Sequence, residues 1–575
     1  MPEALRARAF PLALALAAFA AATPLLLAGS YGLRLLTSAG IYALLTMGYQ
    51  AIFGGAGALS LAQGAFFGIG AYVTGILGAR YGLDGAVTLV LSALVPAVLA
   101  AIVAAPVLRL ESHYFALATL GLAQLALLAA VNAEGLTGGA NGLSGVPALA
   151  LFGTVIQRGW PLLVVVWIAT LGAAVLSARG AAGTNSLSLA LMRDDPIAAS
   201  SLGIDTGALR FAAFLFAAAV AGLAGALHAH LLGVVSPEVL EFPVMVTCLS
   251  MLVIGGRGSL WGAILGALLL VQLPEWLRVV GPWYMAVYGL VLLAAIVFVP
   301  EGLAGALARL VAKAVPQPMP RLPAPVAPKV HMRATPGAPL LSLSGVTKKF
   351  GGVTALNAIS LDIAGGELVG VIGPNGSGKT TLINTIAGLY RPDGGAIVLG
   401  DAPIGGRAPH QIARLGVARG FQTPRLLDRA SVLDNVALAA RRLPDPGGVA
   451  MHCLERLGVA GIAALICGDL PGGARRRVEI ARALASSPRL LLLDEPAAAL
   501  TPEEQDDLAM RLKLLNAEGL TVIVVEHAVP FLKTFVRRMV CLVEGRVAAD
   551  GTPDAVTRDP EVIDAYLGLN WERRA

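Results

Sequence analysis

The apolar residues in the first part of the chain form long runs, which short breaks with glycine, proline or charged residues separate. An apolar run of about 20 residues is long enough to cross the hydrocarbon core of a bilayer as a helix. These runs predict an all-α polytopic domain with about ten transmembrane helices near residues 9–29, 33–53, 58–79, 85–108, 114–132, 160–178, 211–233, 242–256, 259–273 and 282–299. The eighth and ninth runs are short and meet at Gly255-Gly256-Arg257-Gly258, so they are candidates for broken or re-entrant helices.

The pattern changes near residue 315, where prolines begin to recur and continue to Pro339. Proline lacks a backbone N–H and disfavours a regular helix, so this stretch is expected to be an extended, semi-rigid linker. From Leu341 onward, short apolar strands alternate with helical segments, as in an α/β domain. We therefore predict three parts: a transmembrane domain over 1–312, a Pro-rich linker over 313–340 and an α/β domain over 341–575.

The composition of the chain indicates a lipid bilayer as a partner. Hydrophobic residues make up 56% of the chain and charged residues 14%, which is far outside the range of an average soluble protein. A length of 575 residues also predicts at least two domains. The net charge of +6 is modest and no dense stripe of Lys and Arg occurs, so we expect no nucleic-acid partner.

The basic residues beside the predicted spans indicate the orientation of the chain in the membrane. With the amino terminus inside, the cytoplasmic loops carry Arg6, Arg8, Arg109, Arg179, Arg193, Arg210, Arg257, Arg309 and Lys313. Fewer basic residues fall outside, namely Arg34, Arg80, Arg158 and Arg278. This excess agrees with the positive-inside rule and predicts a cytoplasmic C-terminal domain. The basic start followed by Ala-rich sequence favours a signal anchor over a cleavable signal peptide.

A glycine-rich turn between a predicted buried strand and a helix is the strongest chemical signal. It satisfies the P-loop pattern G-x-x-x-x-G-K-[ST] with Gly373, Pro374, Asn375, Gly376, Ser377, Gly378, Lys379, Thr380 and Thr381. In this pattern, backbone N–H groups and the helix N-terminus bind phosphate oxygens. Lys379 would reach the β- and γ-phosphates of ATP, and the Thr380 hydroxyl would ligate Mg²⁺.

A second apolar strand, over residues 490–493, ends in Asp494-Glu495-Pro496. An aspartate at the end of a buried strand is placed to hold Mg²⁺, often through water. The adjacent Glu495 suits a general base that polarises the attacking water. This pair follows the P-loop by about 115 residues, which makes it a strong indication of nucleotide hydrolysis.

Three further elements complete the pattern of the C-terminal domain. Gln422 follows a predicted strand, His527 lies at the end of another, and residues 475–484 read as a helix. In order and spacing they resemble the Q-loop, the H-loop and the signature helix of ABC-transporter ATPases, over essentially all of 341–570. The resemblance implies that Gln422 senses Mg²⁺ and the γ-phosphate and that His527 contacts the γ-phosphate. By the same resemblance Phe350 stacks on adenine, although a plain core aromatic is an open alternative.

Several stretches narrow the resemblance further. Residues 418–426, 494–500 and 562–568 look like the ATPase subunit of branched-chain amino acid uptake systems. Residues 59–72, 114–121 and 137–142 look like the permease of the same family, over roughly 35–305. The resemblance implies ATP-driven import of branched-chain or other hydrophobic amino acids across the bacterial inner membrane, with a soluble solute-binding protein as a partner.

One polar segment, over residues 193–204, lies in a predicted cytoplasmic loop between spans. It resembles the coupling helix of ABC importers, which docks on the ATPase near its Q-loop. The residues assigned to this role are Asp194, Asp195, Ala198, Ala199 and Gly203. An ordinary amphipathic loop helix remains the alternative.

Other functions stay open at this point. Related permeases also look like importers of urea and short-chain amides, and no residue decides between these substrates. A membrane-tethered ATPase that transmits force without moving solute usually has few spans and a large external domain. An exporter generally has six long spans with extended intracellular helices.

The signature sequence departs from the family pattern, which normally reads Leu-Ser-Gly-Gly-Gln. Here Pro471 occupies the serine position, Gly472 and Gly473 follow it, and Ala474 occupies the glutamine position. Thr501 also replaces the acidic or amide residue usual in the D-loop. Proline supplies neither a hydroxyl nor a backbone N–H to a γ-phosphate. Because each cassette of a dimer completes the other's ATP site, we predict a heterodimer with a second permease subunit and a second ATPase subunit that has an intact signature.

Overall fold

The computed structural model describes residues 29–108, 110, 112–180, 184–314, 322–327, 338–498 and 500–567. The chain forms two compact units. The first consists of Met1–Arg193 and Thr206–Pro318, and the second of Asp194–Asp205 and Met319–Ala575. The short segment Asp194–Asp205 therefore belongs to the same unit as the C-terminal residues, although the first unit flanks it in sequence.

Helices make up most of the first unit. The longer ones are Gly29–Tyr49, Gln63–Gly75, Gly85–Val107, Ser112–Asn132, Trp160–Gly180, Thr184–Asp194, Thr206–Leu232, Phe242–Gly255, Leu260–Leu277, Tyr284–Phe298 and Gly302–Ala314. Two of them continue as π-helices, over Gln50–Gly55 and Ile76–Arg80. Short strands pair Leu143–Ser144 with Val234–Val235, and Ala150–Leu151 with Thr154–Val155.

The predicted count of ten transmembrane helices is not confirmed. Among the described residues, six helices are long and apolar enough to cross a membrane: Gly29–Gly55, Gly85–Val107, His113–Asn132, Trp160–Gly180, Thr206–Leu232 and Leu260–Phe298. Phe242–Gly255 and Gly302–Val311 are apolar but shorter. The predicted span 58–79 is divided between an α-helix and a π-helix, and the predicted span 9–29 lies outside the described residues apart from Gly29.

Glycines let three helices of the first unit approach one another closely. A Cβ atom added at Gly222 would lie 2.0 Å from the carbonyl oxygen of Ser92, and one added at Gly70 would lie 2.1 Å from that of Gly222. These residues come from the helices Thr206–Leu232, Gly85–Val107 and Gln63–Gly75. In a lipid bilayer the hydrophobic effect does not drive helices together. Small residues at such crossings allow close van der Waals packing, which stabilises the association of the helices instead.

The second unit contains a mainly parallel sheet. Its strands are, in spatial order, Val417–Gly420, Leu490–Asp494, Thr521–Val525, Leu368–Ile372, Arg538–Val543 and Arg546–Gly551. Only the last pairing among these described strands is antiparallel. Leu368–Ile372, Leu490–Asp494 and Thr521–Val525 are buried along their whole length, as expected for a parallel sheet covered on both faces.

A second sheet and a set of helices surround the parallel sheet. The antiparallel sheet has, in order, Val353–Ala364, Pro339–Phe350, Gly394–Leu399 and Ala402–Pro403. The helices are Lys379–Ile386, Pro409–Arg414, Val432–Ala439, Pro446–Arg456, Gly472–Ala485, Pro502–Ala517, Val529–Lys533, Pro553–Thr557 and Pro560–Leu567. In the described part of the Pro-rich segment, Val326 donates its backbone N–H to the Gly448 carbonyl oxygen at 2.9 Å.

The carboxyl ends of the parallel strands position the candidate site. Strands Leu368–Ile372, Val417–Gly420, Leu490–Asp494 and Thr521–Val525 run in the same direction, so their carboxyl ends meet at one edge of the sheet. Ligands of open α/β sheets bind outside this edge. The P-loop, Gln422, Glu495 and His527 each follow one of these strands, whereas Phe350 and the signature residues do not.

Candidate nucleotide site

At two positions of the P-loop, the backbone conformation requires glycine. Gly373 has φ of 148°, and a Cβ atom there would lie 2.2 Å from the carbonyl oxygen of Leu542. Gly378 has φ of 100°, and its Cβ atom would lie 2.5 Å from the carbonyl oxygen of Ala355. The chain then enters the helix Lys379–Ile386, whose first backbone N–H groups have no partner within the helix and favour an anion.

Lys379 is buried at the start of this helix. Its Nζ atom donates to the carbonyl oxygens of Gly373, at 2.7 Å, and of Pro374, at 2.8 Å. Burial lowers the pKa of Lys379, although the neighbouring carboxylate of Glu495 acts in the opposite direction. An ammonium held by two neutral carbonyl groups can exchange them for phosphate oxygens, with which it interacts more strongly. Thr380 is exposed and Thr381 half-buried in the first turn of the helix.

Asp494 ends its strand as a buried carboxylate with one unsatisfied oxygen. Its Oδ2 atom lies 3.5 Å from Nη2 of Arg419, whereas its buried Oδ1 atom has no hydrogen-bond partner among the described residues. Burial raises the pKa of Asp494, and the positive charge of Arg419 opposes that shift. A buried carboxylate oxygen without a partner fits an oxygen-preferring cation. Together with the Thr380 hydroxyl, it is a donor set that suits Mg²⁺.

The three residues assigned to γ-phosphate chemistry lie together. Nε2 of Gln422 donates to Oε2 of Glu495 at 2.7 Å, and Nε2 of His527 lies 2.9 Å from Oε1 of the same carboxylate. Glu495 has φ of 48°, in the left-handed region that few residues other than glycine adopt. Such strain costs about 1–3 kcal/mol and is concentrated at functional sites. The structure thus brings Gln422, Glu495 and His527 to one point.

Two residues of the signature helix that sequence reasoning missed hold the Q-loop backbone. The guanidinium of Arg476 donates to the carbonyl oxygens of Phe421 and Gln422, and to Oε2 of Glu479 at 3.0 Å. Oε1 of Glu479 accepts the backbone N–H groups of Phe421, at 3.3 Å, and Arg425, at 3.2 Å. Both side chains are buried. This pair fixes the backbone that carries Gln422.

Arg419 and Glu526 were also missed by the sequence analysis. Arg419 is buried in its strand and donates to Oδ1 of Asn384, on the helix that follows the P-loop. Glu526 accepts the backbone N–H groups of Ala497, at 2.7 Å, and His527, at 3.2 Å. In the sequence, each of these residues is recognisable only as a charged residue near the end of an apolar strand. This position does not predict which group the charged side chain binds.

Phe350 is not part of the core. Its side chain is 44% exposed and packs edge to face against Tyr390, with ring centroids 5.0 Å apart. The alternative of a plain core aromatic therefore does not hold. An exposed ring at the end of a strand is available for stacking on a planar ligand.

The signature residues are separate from the P-loop. Pro471 precedes the helix Gly472–Ala485 in the N-cap position and makes no side-chain cap. Gly473 lies close to the side chain of Glu504. A Cβ atom added at Gly473 would lie 2.4 Å from a carboxylate oxygen of that residue. Among the described residues, no hydrogen bond or ion pair joins residues 471–473 to the P-loop.

The predicted coupling segment forms a short helix, Pro196–Ser201, within the second compact unit. Asp195 caps it by accepting the Ala198 N–H at 2.9 Å, and its other carboxylate oxygen lies 2.7 Å from Nη1 of Arg425. Ala198 and Ala199 are buried. Asp194 is the last residue of the preceding helix, Thr184–Asp194.

Basic side chains surround the other end of this short helix. Nη1 of Arg441 donates to the carbonyl oxygen of Leu202 at 2.8 Å, and Nε of Arg414 donates to that of Gly203 at 3.3 Å. Nη2 of Arg442 is 3.5 Å from the same Gly203 oxygen. Burial, and then the charges of Arg442 and Arg414, lower the pKa of Arg441 to about 10. Cations at a helix C-terminus satisfy carbonyl groups that have no partner within the helix.

Comparisons with protein families match both parts of the chain. Residues 31–299 match the family described as "Branched-chain amino acid transport system / permease component". Residues 356–498 match the family described as "ABC transporter", and residues 546–568 match "Branched-chain amino acid ATP-binding cassette transporter".

Individual relatives align with the C-terminal part. The high-affinity branched-chain amino acid transport ATP-binding protein BraF of Pseudomonas aeruginosa is 38% identical over 250 residues, which are 40% of this chain and 98% of that protein. The corresponding protein LivG of Escherichia coli is 37% identical over 250 residues, with the same shares of each chain. A solved ATP-binding cassette of an ABC transporter, in its ADP conformation, is 29% identical and aligns with 40% of this chain and 100% of that chain, with a TM-score of 0.38.

Proposed function

This chain belongs to the branched-chain amino acid ABC transporter family, with permease and ATPase on one polypeptide, and we propose that it imports branched-chain or other hydrophobic amino acids across the bacterial inner membrane. Its N-terminal part is a helical permease domain, and its C-terminal part is an ABC-type transport ATPase with a P-loop fold. We place the permease over 1–312, the linker over 313–340 and the cassette, in the cytoplasm, over 341–575.

The convergence of Gln422, Glu495 and His527 beside a P-loop carries the catalytic part of the proposal. Glu495 acts as the general base for the attacking water, because its carboxylate is presented by a strained backbone and held on both oxygens. His527 and Gln422 orient that carboxylate and reach the γ-phosphate. Lys379 leaves the carbonyl groups of Gly373 and Pro374 for the phosphates of ATP.

Thr380, Asp494 and Gln422 would hold Mg²⁺ at this site. When bound, the cation supplies positive charge that neutralises the phosphate oxygens during hydrolysis. Asp494 contributes the oxygen that has no partner among the described residues, and Arg419 fixes its orientation through the other oxygen.

Transport by reconstituted vesicles tests the function directly. The purified chain, its partner permease and ATPase, and the soluble binding protein would be placed in liposomes with ATP on the cassette side. We expect accumulation of radiolabelled leucine, isoleucine or valine that requires both ATP and the binding protein. Uptake of urea or acetamide in preference to these amino acids would redirect the substrate. ATP hydrolysis with no uptake of any of them would favour the tethered ATPase.

The departure at Pro471 supports a heterodimer as the transporting form. The resemblance implies that each P-loop faces the signature of the other cassette. Pro471 leaves the N-cap position without a hydroxyl, so a homodimer would lack this donor at both sites. We therefore propose a second permease subunit and a second ATPase with an intact signature as partners of this chain in the bilayer.

Restoring the serine should activate the lone chain more than the complex. We expect Pro471→Ser to raise ATP hydrolysis by the purified chain alone at least about tenfold, since one preorganised donor contributes a few kcal/mol to a transition state. Steady-state phosphate release measures this effect, and melting temperature separates it from the stability that a serine N-cap adds. Thr552, another N-cap residue of the second unit, provides a control, because Thr552→Ser should leave turnover unchanged. Rapid hydrolysis by the unmodified chain alone would contradict the heterodimer.

A further inference from the structure

The C-terminal helix Pro560–Leu567 reaches the P-loop through one side chain. The hydroxyl oxygen of Tyr566 accepts the backbone N–H of Gly373 at 2.8 Å, from 193 positions further along the chain. Tyr566 is 39% exposed, and partial burial raises its pKa further above the ordinary tyrosine value of about 10, at which the phenol is already neutral at physiological pH. This helix lies in the family-matched stretch 546–568, yet the catalytic residues and the Mg²⁺ ligands proposed for this site do not include it.

Gly373 is the residue where the strand turns into the P-loop. A side chain is excluded there, because a Cβ atom would lie 2.2 Å from the carbonyl oxygen of Leu542 and 2.6 Å from Oγ of Ser377. The Gly373 carbonyl group is held by Lys379, and its N–H group is held by Tyr566. Once Lys379 turns to phosphate, the Tyr566 hydroxyl still holds the backbone N–H of this residue.

The hydrophobic core holds the helix that carries the tyrosine, because Val562 is buried in the same cluster as Phe531 and Leu532. Val562 and Ile563 of the C-terminal helix line a small cavity of about 190 Å³ together with Ile372 and Val529. Ile372 directly precedes Gly373, and Val529 lies two residues after His527. Across this cavity, the helix therefore faces the chain segments next to the P-loop and next to His527.

We propose that Tyr566 is a positioning residue for the P-loop, whose hydroxyl keeps Gly373 in its phosphate-binding conformation when Lys379 moves to ATP. The inference rests on the proposed ATPase function. Among the described residues, the side-chain partners of Glu495 are Gln422 and His527, and the Tyr566 hydroxyl bonds to Gly373 instead. We therefore expect Tyr566 to act on ATP affinity and to leave the chemical step unchanged.

Tyr566→Phe removes the hydroxyl and keeps the ring, so it tests the hydrogen bond alone. We expect the KM for ATP of the full complex, and the Kd for ATP of the same variant in a Glu495→Gln background, to rise about fivefold, the value of one net hydrogen bond. The kcat should stay within about twofold of the unmodified value. Hydrogen exchange of the peptide that contains Gly373 should become faster, with only the small fall in melting temperature that the loss of one hydrogen bond produces.

Thr557→Val is the matched control. It removes a hydroxyl from the wall of the same cavity, and that hydroxyl bonds to the Pro553 carbonyl oxygen within its own helix. An equal rise in KM for this variant would assign the effect to helix packing and overturn the proposal. Unchanged KM and exchange in Tyr566→Phe, or a fall in kcat at constant KM, would also overturn it. Failure of the unmodified complex to bind ATP would instead refute the ATPase function.

Discussion

Replacing Glu495 with glutamine should lower the kcat for ATP hydrolysis by at least about 100-fold, with ATP affinity nearly unchanged. A positioned general base contributes about 10² to 10⁴ in rate, and the amide cannot accept the proton of the attacking water. The amide keeps the size of the carboxylate and an oxygen that can accept from Gln422, which now donates at 2.7 Å. The phosphate cradle around Lys379 is not altered, so binding should persist.

Single-turnover hydrolysis and equilibrium binding of ATP would separate the two effects. Glu503→Gln is the matched control, because Glu503 is an exposed glutamate in the first turn of the helix Pro502–Ala517. It loses the same charge a few residues from Glu495 and should keep normal turnover. Turnover by Glu495→Gln that approaches the normal rate would remove Glu495 from the role of base.

The convergence of the site was predictable because the relevant residues follow parallel strands. The buried runs 368–372, 490–493 and 521–525 predict strands from composition alone, and a residue at the end of each must reach the same sheet edge. Glu495 and His527 therefore meet, and Gln422 joins them from the parallel strand Val417–Gly420, whose sequence is not a continuous apolar run. The strand order and the antiparallel sheet leave no comparable local mark in the sequence.

The residues that hold the site in place could not be predicted in the same way. Arg476 and Glu479 lie on the signature helix and bind backbone groups of the Q-loop, which is more than 50 positions away in sequence. Tyr566 joins Gly373 across 193 positions. A side chain that binds a distant backbone group leaves no spacing pattern, since the partner group is present at every residue.

The membrane helices show a different limit of sequence reasoning. Hydropathy predicts apolar segments, but it does not predict where a helix ends within such a segment. The helix Phe242–Gly255 stops before Gly256, which has φ of 122°, and Ser259 caps the next helix through the N–H of Gly262. Span counts from apolar length alone therefore differ from the helices that the chain forms.

A continuous set of contacts joins the predicted coupling segment to the carboxylate of Glu495 within the second unit. Asp195 binds the side chain of Arg425, whose backbone N–H donates to Glu479. Glu479 binds Arg476, which in turn holds the carbonyl oxygen of Gln422. Gln422 reaches Glu495. These contacts identify the Asp195–Arg425 ion pair as the one whose reversal should break the coupling.

Arg425→Glu should stop amino acid accumulation while ATP hydrolysis continues. The substitution places two carboxylates where Asp195 and Arg425 now lie 2.7 Å apart, so the short helix Pro196–Ser201 loses its anchor next to the Q-loop. We expect at least about a tenfold loss of uptake per ATP hydrolysed, because the coupling helix no longer follows the Q-loop. Deletion of residues 194–203 should abolish uptake altogether, also with residual hydrolysis. Both rates would be measured in the same vesicles, so that the ratio of leucine uptake to phosphate release is obtained directly.

Charge reversal at both positions distinguishes a lost ion pair from a damaged Q-loop. Adding Asp195→Lys to Arg425→Glu restores opposite charges and should recover part of the uptake. Recovery should be incomplete, because the lysine does not replace the N-cap that Asp195 supplies, which contributes about 1 kcal/mol to helix stability. Arg429→Glu makes the same charge change at an exposed neighbour and should leave the ratio normal. Asp195→Asn keeps a capping oxygen but loses the charge, so the uptake of this variant should lie between that of Arg425→Glu and that of Arg429→Glu. If uptake survives the deletion, or if the double reversal recovers nothing, the segment does not couple the two parts of the chain through Arg425.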